Sequence, residues 1–390
     1  MVKVRMKYIL ILCMLMNTLT CRKAYNPPAI KASNHYLAID GFINTGSDAS
    51  SSFTLTRSRN LTDTVTNIPE LNAQVNIQSA NGNSYALIDT GSDGVYASPL
   101  LNLDITQNYQ LAVTTSDGNK YLSDFVTPKI APPIDSVTWE LLLDDPTTGA
   151  QAVRIYVSGH DPTNNTHYYR WDYLETYEHV SVFDSPWGVS NGLIYPLPTG
   201  VSTHTCWTTG HSDDILLGSS VALSNDVISH AQLANFPQND ARMDIEYSIL
   251  VRQYPLTLDG YNYWSTVQKN SQSLGGLFDL QPSQVTGNIH GVTDPKDPVL
   301  GYISASSVQE QRIFISNKSL PGWQSNPEYS CPLVNVSLDQ LNLLNYTYPD
   351  TSYAPYHFAG DFIISLVVAP KVCLYCTEQG GVNVKPSYWP

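Results

Sequence analysis

The chain has 390 residues, of which 42% are hydrophobic, 11% aromatic and 14% charged, with 25 tyrosines, 25 prolines and 23 glycines. That apolar content excludes a disordered chain, and the length admits two or three domains. With 34 acidic against 20 basic residues, a net of −14, the surface repels polyanions, which excludes nucleic-acid binding.

The N-terminus reads MVKVRMKYILILCMLMNTLTC. Lys3, Arg5 and Lys7 form a positive region ahead of a short apolar run, Tyr8 to Met16. That run is too short for a bilayer-spanning helix, which needs about 20 residues, so residues 1–20 read as a signal peptide. Cys21 stands where cleavage falls, and it is the expected lipidation site. Threonine at position 20 is bulkier than the residue usual there. Removing residues 1–20 takes away three basic residues and no acidic one, leaving 17 against 34, a net of −17. Residues 21–33 are read as a tether.

Short alternating strands follow. Leu37 and Ile39 share one face, as do Phe53 and Leu55. Val75 and Ile77 face Tyr85 and Leu87 across a turn at Asn81-Gly82, and a second hairpin turns at Asp117-Gly118. This spacing, with no convincing helix, predicts an immunoglobulin-like β-sandwich over 34–131. Pro128, Pro132 and Pro133 resist both helix and central strand, and they mark the boundary to a second domain, 132–390.

The second domain opens with Val153, Ile155 and Val157 on one face. An Asp-Pro turn leads to an aromatic strand with Tyr169, Trp171 and Tyr173 together, a fibronectin III-like beginning by pattern analogy. The cleanest strand carries Ile245, Tyr247, Ile249 and Val251. One helix is expected after Pro255, capped by Asp259, with Tyr261, Trp264 and Gln268 at helical spacing and Gly275-Gly276 as its stop. The fold class is therefore mainly all-β, with one helix in the larger domain.

Motifs that carry chemistry are few. Asp89-Thr90-Gly91-Ser92 matches the tetrad around aspartic-protease carboxylates, but that chemistry needs a second carboxylate and no second copy exists in the chain. The tetrad reads as a loop between strands. A nucleophile elbow, a zinc-protease helix, a P-loop and a dinucleotide fingerprint are absent. His204, Cys206 and His211, with Asp213 and Asp214 close by, are weighed as a metal cluster and read as a polar loop held by a disulfide. No catalytic residue, metal or cofactor is assigned.

Beyond Cys21 the chain has Cys206, Cys331, Cys373 and Cys376 in its exported part. Cys373-Leu374-Tyr375-Cys376 has the spacing of a redox pair, of half a metal site completed by Cys206 and Cys331, or of a disulfide staple. No α/β pattern surrounds it, and an even cysteine count in an exported chain favours disulfides. Whether the link lies within the pair or runs back to Cys206 and Cys331 is open at this level.

The stretches YSILVRQYPLTLDGYNYW, GGLFDLQPSQVTGNIHGV and LGYISASSVQEQRIFI, with the tail CLYCTEQGGVNVKPSYWP, resemble the Bacteroidota lipoprotein family known as domain of unknown function 4249. LAIDGFI, DGVYASP and IDSV near the front are similar as well. The resemblance implies an outer-membrane lipoprotein beside a TonB-dependent, SusC-like receptor, and it carries no catalytic residue. Arg22-Lys23 lacks the acidic run associated with surface export, so the side of the membrane stays open.

The expectation is thus a lipid-anchored accessory or ligand-capture subunit of a TonB-dependent uptake system. Its partners are the SusC-like receptor, the membrane through its lipid, and a glycan or peptide. A structural or adhesive envelope lipoprotein and a carbohydrate- or peptide-hydrolysing enzyme are the alternatives.

Overall fold

The computed structural model describes residues 35–59, 68–91, 93–145, 147, 149–190, 193–272, 285–323, 325, 329–337, 352–359 and 365–390. Cys21 and the expected helix stop at Gly275-Gly276 lie outside the described residues.

The first body begins with β1 (Leu37–Gly41), β2 (Ile43–Asn44), β3 (Ser52–Arg57), β4 (Gln74–Ser79), β5 (Ser84–Asp89), β6 (Val95–Ala97), β7 (Tyr109–Thr114) and β8 (Lys120–Ser123). Both expected hairpins form. Val75 opposes Leu87 and Ile77 opposes Tyr85, and the turns place Gly82 and Gly118 at φ of 95° and 88°. Leu37, Phe53, Leu55 and Ile77 are fully buried, because alternation delivers them to one face of the pleat.

The second body follows with β9 (Ile134–Asp145), β10 (Ala150–His160), β11 (Tyr168–Val180), β12 (Trp187–Ser190), β13 (Leu193–Pro196), β14 (Thr205–His211), β15 (Leu216–Ser219), β16 (Val227–Pro237) and β17 (Glu246–Pro255). Helix α1 (Leu258–Gln272) comes next, then β18 (Ile289–Gly291), β19 (Ala305–Ser306), β20 (Gln309–Ser316), β21 (Val334–Ser337), β22 (Tyr353–Ala359) and β23 (Ser365–Pro370). Sheet β16-β10-β9 packs on sheet β14-β11-β17-β20, with β15 also paired to β11. Val153, Ile155, Val157, Tyr169, Trp171, Tyr247, Ile249 and Val251 fill the space between them. The indole of Trp171 donates to Gln253 Oε1 at 2.9 Å, and Gln253 Nε2 donates to the Pro132 carbonyl at 2.8 Å. That chain of bonds ties the proline-rich connection to the second core. The described residues also form a smaller sheet, β21-β23-β22, and the two-stranded pair β12-β13.

The first body does not end where the sequence suggests. Its core also contains Ile289, Val299, Ile303 and Ala305. Strand β18 joins β8 as the last strand of the eight-stranded sheet β1-β3-β6-β5-β4-β7-β8-β18. A few residues later, Leu300 donates to the Leu37 carbonyl (2.9 Å) and accepts from Ile39 N–H (2.8 Å), and β19 pairs parallel with β2. One returning segment thus bonds to both ends of the sheet, so the expectation of a sandwich complete within 34–131 is corrected. The pairing partners are far apart in sequence, and such contacts leave no local pattern.

The return requires glycine. At Gly301, with φ of 138°, a Cβ would overlap the Ile39 carbonyl oxygen, and at Gly287 it would overlap the carbonyl oxygen of Gly301. Gly301 lets the segment approach the backbone of β1, and Gly287 lets it pass close to its own backbone at Gly301.

Candidate ligand-binding cleft

Helix α1 starts one residue before Asp259 can cap it. The hydroxyl of Thr257 accepts from Gly260 N–H at 3.1 Å, and Asp259 sits in the first turn. The helix has two working faces. Tyr261 packs on Tyr168 with ring centroids 5.0 Å apart, the Arg170 guanidinium lies 4.4 Å over Trp264, and Gln268 Nε2 donates to the Ile215 carbonyl at 2.6 Å. These are the residues expected at helical spacing, and they seat α1 on β11 and β15. Asp259, Asn262, Tyr263 and Thr266, spaced i, i+3, i+4, i+7, form a second stripe that faces away from this contact.

The second stripe forms one wall of a cleft of about 570 Å³. The segment Asp124–Thr127 after β8 forms the opposite wall, and Thr286 and Asn288 of the returning segment close the end. The cleft exists because the returning segment brings the first body against α1. Tyr263 and Tyr302 form its floor, with ring centroids 5.2 Å apart and planes inclined by 30°. The Tyr302 and Thr257 hydroxyls are hydrogen-bonded at 3.3 Å. Burial raises the pKa of both tyrosines, and the carboxylates of Asp259 and Asp124 add to the rise at Tyr302. Both phenols therefore remain protonated at neutral pH, as hydrogen-bonding groups rather than bases.

Several polar side chains lining the cleft are already bonded within the protein. Asn288 donates to the Ile303 carbonyl (2.9 Å) and accepts from Ile303 N–H (2.7 Å), so it is part of the wall. Asp124 bonds to His290 Nε2 at 3.1 Å. The side chains of Asp259, Asn262, Thr127 and Thr286, by contrast, have no hydrogen-bond partner among the described residues, and all four are exposed. Phe125, 48% exposed, lies at the rim. Among the described residues, no lysine, arginine or histidine lines the cleft.

A second concavity, of about 560 Å³, lies at the far end of the second body between Trp207, Trp389, Glu178, Asp244, Lys318 and Lys385. Some of its polar groups are engaged within the protein. Trp389 Nε1 donates to Glu178 Oε2 at 3.1 Å, Lys385 Nζ donates to the Pro390 carbonyl at 2.6 Å, and Asp244 Oδ1 accepts from Ser325 N–H at 3.0 Å. The indole N–H of Trp207, by contrast, is buried without a hydrogen-bond partner among the described residues.

The cysteines resolve the question left by their spacing. Cys376 pairs with Cys206 and Cys373 with Cys331, so the two cysteines of the Cys-x-x-Cys unit serve different bridges. Neither sulfur is a thiolate for redox or metal chemistry. His204 Nδ1 bonds to the Ser181 hydroxyl at 3.1 Å instead of converging with Cys206. Asp89 ends β5 and accepts from Gly91 N–H at 3.0 Å while Thr90 donates to the Val95 carbonyl, the bonding of a tight connection between strands. Sequence reasoning recognised Asp259 and the helix but missed the stripe at 259, 262, 263 and 266, whose helical spacing was its one available signal. Among the described residues no helix is long and apolar enough to cross a membrane.

A family model described as Domain of unknown function (DUF4249) matches residues 22–312. No curated protein matches the chain. Among solved structures, the chain is similar to a DUF4785 family protein from Legionella pneumophila subsp. pneumophila, at 8% identity and a TM-score of 0.18, over 56% of this chain and 52% of that one. It is similar to a two fibronectin type III domain segment from chicken tenascin, at 11% identity and a TM-score of 0.16, over 57% of this chain and 91% of that one. It is also similar to the Yersinia pseudotuberculosis adhesin InvE, at 15% identity and a TM-score of 0.15, over 57% of this chain and 55% of that one. The chain thus spans about half the length of the first and third of these. Likeness at this level carries no argument about function.

Proposed function

We propose, for a chain that belongs to the family described as Domain of unknown function (DUF4249), the role of a lipid-anchored ligand-capture subunit beside a TonB-dependent, SusC-like outer-membrane receptor. One observation carries the capture half of this reading. A cleft of about 570 Å³ lies where two bodies meet, with unengaged hydrogen-bonding side chains above a tyrosine floor. Ligand sites favour such junctions, and volumes of roughly 300–1,000 Å³ are typical of them. The anchor rests on the sequence alone, through Cys21 behind its signal peptide.

The role is binding rather than chemistry. Glycoside hydrolysis needs a pair of carboxyl groups, one of them held protonated by an apolar surrounding. Asp124 and Asp259 both line the cleft, but both are open to solvent.

Affinity purification from native outer membrane with a tag after Pro390 tests the receptor half. Recovery of a SusC-like receptor is expected. Recovery of the protein by itself would favour an adhesive or structural envelope role and overturn the reading. Replacing Cys21 by Ser is expected to release the protein from the membrane fraction; continued membrane association would contradict the anchor.

A further inference from the structure

We infer that the cleft between α1 and the first body binds a neutral saccharide. This deepens the capture reading and rests on it. The charge of the lining narrows the ligand first. With no lysine, arginine or histidine among the described residues of the wall, a phosphate, sulfate, uronate or peptide carboxylate meets no counter-charge from them. Two aspartates oppose it instead. A cationic ligand fares little better. Asp124 is already joined to His290, which leaves Asp259, and one exposed carboxylate contributes little to an ion pair.

What remains in the wall is an arrangement suited to hydroxyls. Asp259 and Asn262 are planar groups with two polar atoms each, one helical turn apart, exposed and without a partner among the described residues. Each can engage two vicinal hydroxyls at once, since a hydroxyl both donates and accepts. The amide of Asn262 supplies a donor and an acceptor, and Asp259 supplies acceptors alone. The Thr127 and Thr286 hydroxyls add single groups of either sense from the other walls. A ring bearing many hydroxyls satisfies such a mixed set, whereas a peptide offers one donor and one acceptor per residue.

The floor completes the match. A pyranose has a polar rim and a face of C–H bonds, and that face packs on aromatic rings. Tyr263 and Tyr302, packed on one another with centroids 5.2 Å apart and planes inclined by 30°, present one joint aromatic surface, and Phe125 offers another, 48% exposed. Packing of apolar faces on aromatics combined with rim hydrogen bonds uses the amphipathic character of both partners. Tyr263 is held in place from behind by Trp264, whose ring meets it edge-on at 5.4 Å, and Trp264 is fixed in turn by Arg170. The floor is thereby braced by the second body.

The test is titration of the purified full-length chain against neutral xylo-, manno-, galacto- and gluco-oligosaccharides, with oligogalacturonate and oligolysine as charged comparators. Binding of at least one neutral series is expected, insensitive to added salt, with neither comparator bound. Tyr263→Ala is expected to weaken it about tenfold or more. Should that variant misfold, Asn262→Ala alters only an exposed side chain and is expected to weaken binding severalfold. Absence of binding to every neutral series overturns the assignment, as does binding unaffected by both substitutions. Salt-sensitive binding of oligolysine would give the cleft to a cation instead. Receptor recovery in the purification above, together with failure of every saccharide, would sink this inference and leave the receptor partnership standing.

Discussion

The molecule holds two returning pieces of chain in two different ways. Residues 285–306 leave the second body and return to the first, held by backbone hydrogen bonds to both ends of its sheet and by four apolar residues in its core. Residues 371–390 return along β14 with little regular structure. Two short 3-10 turns, scattered backbone bonds such as Cys376 N–H to the Thr203 carbonyl and Trp207 N–H to the Val382 carbonyl, the buried Leu374 and Trp389, and the two disulfides hold them. Where a segment extends a sheet and buries apolar side chains, cooperative pairing suffices. Where it runs as irregular chain, backbone bonds are scattered along it and two disulfides supplement them. The first arrangement leaves the cleft beside α1, whereas the tail lines the second concavity, of about 560 Å³.

The largest expected effect falls on the covalent side. Bridges spanning 170 and 42 residues restrict the unfolded chain, and the chain-entropy model gives about 5 and about 4 kcal/mol respectively. Cys206→Ser with Cys376→Ser is therefore expected to lower the denaturant midpoint more than Cys331→Ser with Cys373→Ser. Equal losses would show that native-state packing of the tail, not loop closure, dominates.

Next comes the non-covalent return. Gly301→Ala puts a Cβ against the Ile39 carbonyl in a backbone conformation that side chains disfavour, and is expected to cost about 3 kcal/mol. Its signature is a loss of protection in both β1 and 285–306, measured by hydrogen exchange, with the disulfide-bonded tail unchanged. Loosening of the tail as well would mean that the two returns are one cooperative unit.

The smallest effect sharpens the comparison by pH. His179 lies under the tail, bonded to Gln379 Oε1 at 3.1 Å and Thr208 Oγ1 at 2.9 Å. Burial, the larger influence, lowers its pKa below the ordinary histidine value, and the bond to Gln379 opposes this in part. A group with a lowered folded pKa contributes stability above its unfolded pKa of about 6.5, and that stability is lost as pH falls through the folded value. Acidification below that window is expected to loosen 371–390 slightly more in wild type than in His179→Gln. A wild type and variant with parallel pH profiles would remove His179 from the account.

Much of this architecture is legible in sequence, and the limits have physical causes. Val153, Ile155 and Val157 announce their face because a half-buried strand must alternate, and Asn81-Gly82 announces its turn because only certain residues accept positive φ. The stretch Ile-His-Gly of β18 has neither length nor alternation, and its partner β8 lies some 170 residues earlier, so the closure of the first body was invisible. Disulfide partners are likewise fixed by the fold and not by spacing. The cleft stripe on α1 mixes Asp, Asn, Tyr and Thr, and its meaning depends on the opposing wall that the returning segment supplies.

Hydrogen exchange of the full chain with and without a bound neutral oligosaccharide tests the central claim most directly. The account predicts new protection confined to 124–127, 257–266 and 285–302, with 371–390 unchanged. Protection appearing around Trp207 and Trp389 instead, with none at α1, would contradict it.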